Sequence, residues 1–553
     1  MRVAIAQLDP IVGGFEANVK KIKEAYQRAC SKRARILLTP EMGICGYPPH
    51  DLVEQPEIFE RNDRALDDLM AATQGKSCAL VVGHVGTNPS GLGRAAQNVV
   101  TVLQDGRRVF RQAKTLLPTY DVFDEARYFE PAHEVNLWNC DGHKIAMAIC
   151  EDLWAADPAL GRRIYNFNPT DCYRDQKADI LFSLSASPFE WGKRERREFL
   201  HGEIARTLHV PLVYVNQVGA TDEILFDGGS FAFSAEGTLT GRMPLFRTSF
   251  GLTEVVSGEP VWETPSEEGR EDSPPAEIEL LYRGLIVGIR EYFARTGFKS
   301  AVIGLSGGID SAVVAVLAAE ALGPKHVLGV AMPSQHSSSH SLEDAEQIAR
   351  KLGIGFTVRP IKFLYSMAAR ELSEGRGELA PIALENLQTR LRSVILMTLS
   401  NHLSSLVLTT GNKSELATGY CTLYGDMAGA LAPIGDVYKT RVYDMARHIN
   451  QNHGDLIQER CLTKAPSAEL RPNQKDQDVL PPYDQLDQML FEYIEKKTPA
   501  AVIEARFGQA AKDVLQRVIA NEYKRRQAAP VLKVSPKAFG IGRRYPIAKF
   551  WTP

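Results

Sequence analysis

A chain of 553 residues is too long for one ordinary hydrophobic core and predicts two to four domains. With 44% hydrophobic and 24% charged residues and a net charge of -3, it has the composition of a soluble globular protein and lacks the basic excess that nucleic-acid binding requires. The eight cysteines show no CxxC or Cys/His spacing, so neither a zinc site nor a disulfide framework is expected and a reducing compartment fits. The N-terminal MRVAIAQLDPIVGG is broken by Gln7, Asp9 and Pro10, unlike a signal peptide, and no segment reaches the apolar length of a membrane span. A cytoplasmic location follows as the expectation.

Strand and helix patterns alternate from the start: the strand RVAIAQL, a helix from about Gly14 to Ala29, the strand ARILLTPE, a helix near residues 57 to 73, and the strand CALVVGHVG. NVVTVLQDGRRVFRQAK is a hairpin turning at Asp105-Gly106, and HKIAMAIC, ADILFSLSAS and PLVYVNQVG continue the strands. A mixed sheet flanked by helices is predicted for residues 1–250. VVSGEPVWETPSEEGREDSPPAEIELL, rich in Pro, Glu and Ser, marks a linker placed at 251–276. The remainder, 277–553, opens with a helix (277 to 295) and runs strand, helix, strand from SAVIGLS to HVLGVAMPS, as a parallel doubly wound sheet does. There is no internal repeat.

Three strands of the first half end on reactive side chains: ILLTPE at Glu41, VFRQAK at Lys114 and IAMAIC at Cys150. Strand ends of an α/β sheet are where residues distant in sequence converge. A thiol becomes a nucleophile when a carboxylate takes its proton and an ammonium favours its anion; together the three would attack an amide carbonyl, form a thioester and release ammonia. Singly, each has a plainer reading, a core cysteine or a solvated charge. TPEMGICGYPPHDL, QAKTLLPTYDVFDEARYF and AICEDLW, in this order, resemble the nitrilase (carbon-nitrogen hydrolase) superfamily over roughly residues 1 to 250. The resemblance implies an α-β-β-α sandwich with Glu41 as base, Lys114 as oxyanion stabiliser and Cys150 as nucleophile. YDVFDEARYF and SASPFEWGKRERRE are similar to the glutamine-handling segments of the amidotransferase branch, which implies that Tyr120, Ser187 and Lys193 bind glutamine and that Glu125 assists. The arginines of GKRERRE read as a solvated helix face.

AVIGLSGGIDSAVVAVLAAEALG drops from a strand into Ser306-Gly307-Gly308-Ile309-Asp310-Ser311 and then a helix. A Walker A loop grips nucleotide phosphates with a lysine, which this loop lacks. Its glycines, hydroxyls and helix N-terminus form a nest for a pyrophosphate leaving group, and Asp310 beside phosphates calls for Mg²⁺. Capping by Ser306 and dipole complementation by Asp310 form the plainer reading, yet each glycine in a first helical turn costs about 1 kcal/mol that capping does not explain. The loop resembles the PP-loop of ATP pyrophosphatases, which implies an ATP site at Gly304, Leu305, Ser306, Gly307, Gly308, Ile309, Asp310 and Ser311.

ENLQTRLRSVILMTLSN, LVLTTGNKSELATGYCTLYGDMAGALAPIGDVYKTRV and KAPSAELRPNQKDQDVLPPYDQLD look like the NAD synthetase family. That likeness implies that Thr410 contacts ATP, that Asp310 and Glu415 hold Mg²⁺, and that Asn386, Glu415, Asp426, Lys439 and Lys524 line the deamido-NAD site, with Lys439 also near the leaving phosphates. The loop from Lys464 reads as a lid over the reacting phosphates, with Lys464 itself a phosphate candidate. Lys524 to Pro553 holds eight Lys/Arg and no acid, but no RNA-binding module accompanies it. The pairing of both halves resembles glutamine-dependent NAD synthetases. It implies ATP and glutamine as co-substrates, small-molecule partners, an adenylated intermediate and a homo-oligomer. Another PP-loop ligase acting on a different carboxylate, and a nitrilase-type half serving only as a scaffold, stay open at this level.

Overall fold

The computed structural model describes the whole chain except residues 156, 158–163, 257–258, 264–274, 376 and 552–553. Two compact units divide it, Met1–Pro275 and Ala276–Pro553. Among the described residues no helix is long and apolar enough to cross a membrane.

The first unit runs β1 (Arg2–Gln7), β2 (Ile36–Leu38), β3 (Ala79–Thr87), β4 (Ala96–Gln104), β5 (Arg107–Ala113), β6 (Trp138–Cys140), β7 (His143–Ile149), β8 (Ile180–Ser185), β9 (Leu212–Asn216), β10 (Val218–Thr221), β11 (Ile224–Asp227), β12 (Phe231–Phe233), β13 (Leu239–Arg242), β14 (Ser249–Val256) and β15 (Glu259–Glu263). One sheet has the order β15-β14-β1-β2-β3-β4-β5, the other β13-β12-β9-β8-β7-β6, and β10-β11 form a separate ribbon. Their inner faces interdigitate: Val3, Ile5, Leu38 and Val81 of one sheet share a core with Met147, Phe182, Leu184 and Val213 of the other. Side chains on alternate positions point outward, where helices cover them. Helices Phe15–Ser31 and Glu57–Ala72 lie on the first sheet, burying Ile22, Tyr26, Leu66 and Leu69. Pro169–Asp175 and Lys193–Leu208 cover the second through Tyr173, Leu200 and Ile204. The result is the α-β-β-α sandwich. Asp105 (φ 47°) and Gly106 (φ 67°) make the two-residue turn between β4 and β5, both with the positive φ that a type I′ turn needs.

The linker expected over 251–276 is a strand pair at its start. β14 runs antiparallel to β1 from Arg2↔Glu254 to Gln7↔Ser249, and β15 pairs with β14. Of the two, only β15, five residues long, is at the sheet edge; it carries too few alternating residues to reveal a period, and Pro260 is tolerated there because an edge position leaves its missing N–H without consequence. Most of what remains of that expected linker, 264–274, lies outside the described residues.

In the second unit β16 (Ala301–Gly304), β17 (Val327–Ala331), β18 (Gly355–Val358) and β19 (Leu406–Leu408) form a fully parallel sheet ordered β18-β17-β16-β19. The order reverses between β16 and β19, and the crevice outside the carboxyl ends at such a reversal is where α/β sheets take ligands. Helix Ile309–Leu322, reading apolar all round, is buried all round, with Val313 to Ala318 wholly enclosed. The C-terminal segment is anchored by one carboxylate. Asp436 accepts from Val534 N (2.8 Å), Ser535 N (2.7 Å) and Ser535 Oγ (2.8 Å) and pairs with the fully buried Lys413 at 2.8 Å. Three basic residues of the tail are likewise buried: Arg525 and Arg543 both pair with Glu522, and Lys533 donates to Ser535 O at 2.8 Å.

Removing one member of a buried ion pair strands the other charge and typically costs about 3–5 kcal/mol. Asp436→Ala is therefore expected to destabilise the second unit by an amount of that order, read as a lower urea midpoint for its transition.

Candidate active sites

The first site is assembled from strand ends. Lys114 follows β5 directly and Cys150 follows β7 directly, while Glu41 stands three residues beyond β2. What draws the ends of β5 and β7 together is Asp152, which the sequence patterns do not single out. Its carboxylate accepts from Ile149 N (3.0 Å), Thr115 N (3.0 Å), Thr115 Oγ1 (2.6 Å) and Leu116 N (2.9 Å), clamping the turn after β7 to the turn after β5. Cys150 takes a φ of 43°, a left-handed conformation uncommon for a side-chain-bearing residue that lifts it out of the strand direction.

Lys114 is 1% exposed, and its ammonium donates to Glu41 Oε1 at 2.9 Å and to Glu125 Oε1 at 2.8 Å. Glu41 is fixed further by Asn98 Nδ2 (2.7 Å to Oε1) and by the Ala186 amide (2.8 Å to Oε2), and Glu125 by the Tyr47 hydroxyl (2.8 Å). Burial opposes the charge on Lys114, but Glu125, Glu41 and Cys150 together hold its pKa well above the ordinary lysine range. Burial pushes the Cys150 thiol upward, Glu41 adds to that rise and Lys114 counters it. Glu125 is also raised by burial, against the pull of Lys114.

Of the residues expected to bind glutamine, Tyr120 donates from its hydroxyl to Glu151 Oε2 at 2.9 Å, and Ser187 donates its amide to Asn216 Oδ1 at 2.9 Å. Lys193 opens helix Lys193–Leu208 with its ammonium 5.7 Å from the centre of the Trp154 ring and 5.9 Å from that of Phe123. One expectation is overturned here. Arg197 of GKRERRE is not on a solvated face: it is 1% exposed and makes a forked pair with buried Asp227. Charge content hid it, because a helix whose polar residues face inward has no amphipathic stripe to read.

The second site lies at the carboxyl ends of β16 and β19. Gly307 has φ 79°, and its bare Cα sits against the carbonyl of Ser341, where a side chain would collide. Ser306 and Ser311 bond to one another (3.1 Å), Ser306 Oγ accepts from Gly308 N (3.2 Å) and Ser311 Oγ donates to Gly308 O (2.9 Å). Gly304, Leu305 and Ile309 are the shoulders of this loop, Gly304 ending β16 and Ile309 opening the helix. Asp310 pairs with the Lys439 ammonium and accepts from Asn412 Nδ2 at 3.0 Å; Lys439 also lies 3.8 Å from Glu415. Asn412 caps helix Lys413–Thr418 by accepting from Glu415 N at 3.1 Å, a capping box written in the sequence as Asn-x-x-Glu. Thr410 stands two residues beyond β19. Burial, then Asp310, push Glu415 up to about 8.

Asp426 accepts from Thr422 N at 2.7 Å, and Thr422 Oγ1 donates to Asn386 Oδ1 at 2.8 Å, so these two expected residues belong to one polar group; burial pushes Asp426 up to about 6. Lys524 donates to Gly419 O (2.7 Å) and Cys421 O (2.8 Å), beside the same turn. Lys464 is engaged with Glu469 (2.8 Å) and Ser341 Oγ (3.1 Å) rather than with the PP-loop.

Fold and polar constellations define the class: a carbon-nitrogen hydrolase unit of nitrilase type followed in one chain by a PP-loop unit. The carbon-nitrogen hydrolase family model matches residues 2–257 and the NAD synthase model residues 281–528. A glutamine-dependent NAD(+) synthetase of Synechocystis sp. is 42% identical over 100% of this chain and 99% of its own length, and that of Thermotoga maritima is 38% identical over 99% and 98%. The solved structure of an Acinetobacter baumannii glutamine-dependent NAD+ synthetase in complex with ADP superposes with a TM-score of 0.77 at 35% identity, covering 100% of this chain and 99% of that one. The chain belongs to the glutamine-dependent NAD(+) synthetases.

Glu151 gives the first site a measurable titration. Burial pushes it up to about 7, although the hydroxyls of Tyr165 and Tyr120 and the charge of Lys114 pull it down. The folded chain thus holds this proton more tightly than the unfolded chain, so its contribution to stability falls as pH rises from the carboxylate range through about 7. Glu151→Gln removes that dependence. Its stability relative to the parent is expected to improve between pH 5 and pH 8, by about 3 kcal/mol or less, as read from urea unfolding at each pH.

Proposed function

We propose that Cys150, Glu41 and Lys114 release ammonia from glutamine, and that the PP-loop unit activates the nicotinate carboxylate of deamido-NAD with ATP for that ammonia to amidate. The overall reaction is that of the family: glutamine- and ATP-dependent amidation of deamido-NAD to NAD. The observation that carries the residue assignment is the buried Lys114 held between Glu41 and Glu125 beside Cys150, in a chain whose other unit is a NAD synthase.

In the first unit Glu41 takes the thiol proton as Cys150 Sγ attacks the amide carbon, and Lys114 stabilises the oxyanion. Collapse breaks the C–N bond, the leaving ammonia takes the proton from Glu41, and a thioester remains. Water activated by Glu41 then cleaves the thioester to glutamate and free thiol. Tyr120, Ser187 and Lys193 hold the glutamine, and Glu125 keeps Lys114 in place.

In the second unit a carboxylate oxygen of deamido-NAD attacks the α-phosphorus of ATP, the bond to the β-phosphate breaks, and pyrophosphate leaves into the nest of Ser306 to Ser311. Ammonia adds to the acyl carbon, loses a proton, and AMP departs. Thr410 flanks ATP, Lys439 reaches the leaving phosphates, and Asn386, Asp426 and Lys524 hold the dinucleotide. Asp310 and Glu415 suit Mg²⁺: both offer hard carboxylate oxygens, and the charge of Asp310, which adds to the burial that raises Glu415, is what a divalent cation would offset. When bound, Mg²⁺ neutralises charge on the polyphosphate.

A homo-oligomer is supported by an inverted surface. Helix Pro381–Leu403 buries polar Gln388, Thr389, Ser393 and Ser400 while leaving Ile382 and Val394 exposed, and the neighbouring helix Lys362–Ser373 exposes Phe363, Leu364 and Met367. A second copy covering this face is the reading adopted.

Cys150→Ala is expected to abolish glutamine-driven synthesis while ammonia-driven synthesis stays within about twofold, because only the thioester route is lost. Glutamine-driven turnover in a folded Cys150→Ala protein would remove the triad assignment; Cys45 and Cys172 variants serve as mild controls. Asp310→Asn keeps the shape of the helix start but loses the charge that meets Lys439 and the cation. Both glutamine- and ammonia-driven synthesis are expected to fall together, by about a hundredfold or more, with glutamine hydrolysis retained. Pyrophosphate release at saturating ammonia, titrated with Mg²⁺, checks it; near-normal release with unchanged Mg²⁺ dependence would make Asp310 a helix-dipole residue only.

A further inference from the structure

Helix Lys193–Leu208 carries an arginine where no ligand explains it. Arg197 and Asp227 are 1% and 2% exposed, and Arg197 Nη1 reaches Asp227 Oδ1 at 3.1 Å and Oδ2 at 3.2 Å while Nη2 reaches Oδ1 at 3.1 Å. Two buried charges of this kind rarely stabilise a fold beyond what apolar side chains would, so their retention asks for another reason.

The reason lies one step further. Asp227 Oδ1 also accepts from Asn216 Nδ2 at 3.3 Å, and the same NH₂ group faces Gly228 O (3.1 Å) and Ser187 O (3.3 Å). A carboxylate only accepts, so its presence fixes which end of the Asn216 amide faces it. The amide oxygen is thereby turned toward Ser187, whose N–H it accepts at 2.9 Å. Asn216 thus grips both the N–H and the C=O of Ser187, as a paired strand would. The adjacent amide, that of Ala186, donates to Glu41 Oε2 at 2.8 Å. Arg197 itself lies one helical turn after Lys193 on the same helix, so anchoring Arg197 also sets the start of that helix, where the Lys193 ammonium faces Trp154 and Phe123.

We infer that Arg197, Asp227 and Asn216 form a buried positioning relay that sets the backbone of Ser187 and the start of the Lys193 helix for glutamine, and so act as positioning residues for recognition of that substrate. The inference rests on the reading of Ser187 and Lys193 as the glutamine-binding pair. Glu41 keeps its bonds from Lys114 and Asn98 when the relay is lost, so the chemistry at Cys150 suffers less than binding does.

The test uses the full chain with deamido-NAD, ATP and Mg²⁺, supplied with either glutamine or ammonia. Asp227→Asn is isosteric but lets the Asn216 amide turn over; Arg197→Lys keeps the buried charge but loses the fork. For Asp227→Asn the KM for glutamine is expected to rise about tenfold or more while kcat falls about threefold or less, with a smaller KM rise in Arg197→Lys. Ammonia-driven synthesis should match the parent in both, and iodoacetamide, which needs no glutamine subsite, should alkylate Cys150 at the parental rate. A residue that merely supports the fold would lower kcat, ammonia-driven synthesis or soluble yield without selectively raising the glutamine KM, and that pattern in both variants would overturn the inference. A parental glutamine KM in both would do the same. Cys150→Ala run alongside separates the two levels: glutamine-driven synthesis surviving there removes the underlying site assignment, whereas its loss together with a parental KM in the relay variants removes the relay alone.

Discussion

A lysine ammonium enclosed by protein loses several kcal/mol of hydration, and it stays charged only where carboxylates replace the water. Lys114 meets that condition with two, Glu41 and Glu125, and much of the first unit is arranged to deliver them. Glu41 comes from the loop after β2, Glu125 from the segment following β5, and Asp152 holds the neighbouring turn in register. The cluster carries more acid than base. Burial is the main force that pushes Cys150 and Glu125 upward, and the charge of Glu41 adds to it in both. A buried thiol pushed upward in this way gives up its proton only to a well-placed acceptor, and Glu41 is held in a fixed position by Lys114, Asn98 and the Ala186 amide.

The second unit solves a related problem from the other direction. Its phosphate loop carries no lysine, yet a lysine is present: Lys439, arriving from the start of a distant helix, neutralises Asp310 and lies near Glu415. Placement of Lys439 is itself secured by backbone bonds. Its N–H donates to Ser414 Oγ at 2.9 Å and the next amide, Thr440, to Asp487 Oδ2 at 2.9 Å. The cation that meets Asp310 is thus supplied from outside the loop and held by its own helix start rather than by the nest.

Elements with a strong period were legible from residues alone: the helix beginning at Phe15, the Asp105-Gly106 hairpin, and the strand and buried helix around the PP-loop. Strand-end logic picked out Glu41, Lys114 and Cys150 because their chemistry differs from the apolar runs they terminate. What stayed hidden was polar structure that works inward. Arg197 sits in a run of charges that looks solvated, Asp152 hides beside the cysteine, and Asp487 lies in an ordinary amphipathic helix. Little local marks them, since they bond to Asp227, Thr115 and Ser414, each remote in sequence, and only Asp152 has a near partner as well, the Ile149 amide. The strands β14 and β15 were missed for a different reason: the edge strand β15 tolerates the Pro and Glu that read as linker, and β14 runs straight into it.

These inward carboxylates share a physical role. Asp152, Asp227 and Asp436 each gather several donors in a setting from which water is excluded, so each converts a floppy connection into a fixed one. Asp152 fixes the turns after β5 and β7, Asp227 reaches Ser187 through Asn216, and Asp436 ties the C-terminal segment through Lys413 to the start of the helix that Asn412 caps and that contains Glu415. An acceptor-only group suits this work because it cannot be satisfied by turning around: every donor must come to it, and the backbone that supplies those donors is held as a consequence. Sites built from strand ends and loops, which by themselves are the mobile parts of an α/β unit, thereby acquire the rigidity that bond-making geometry demands.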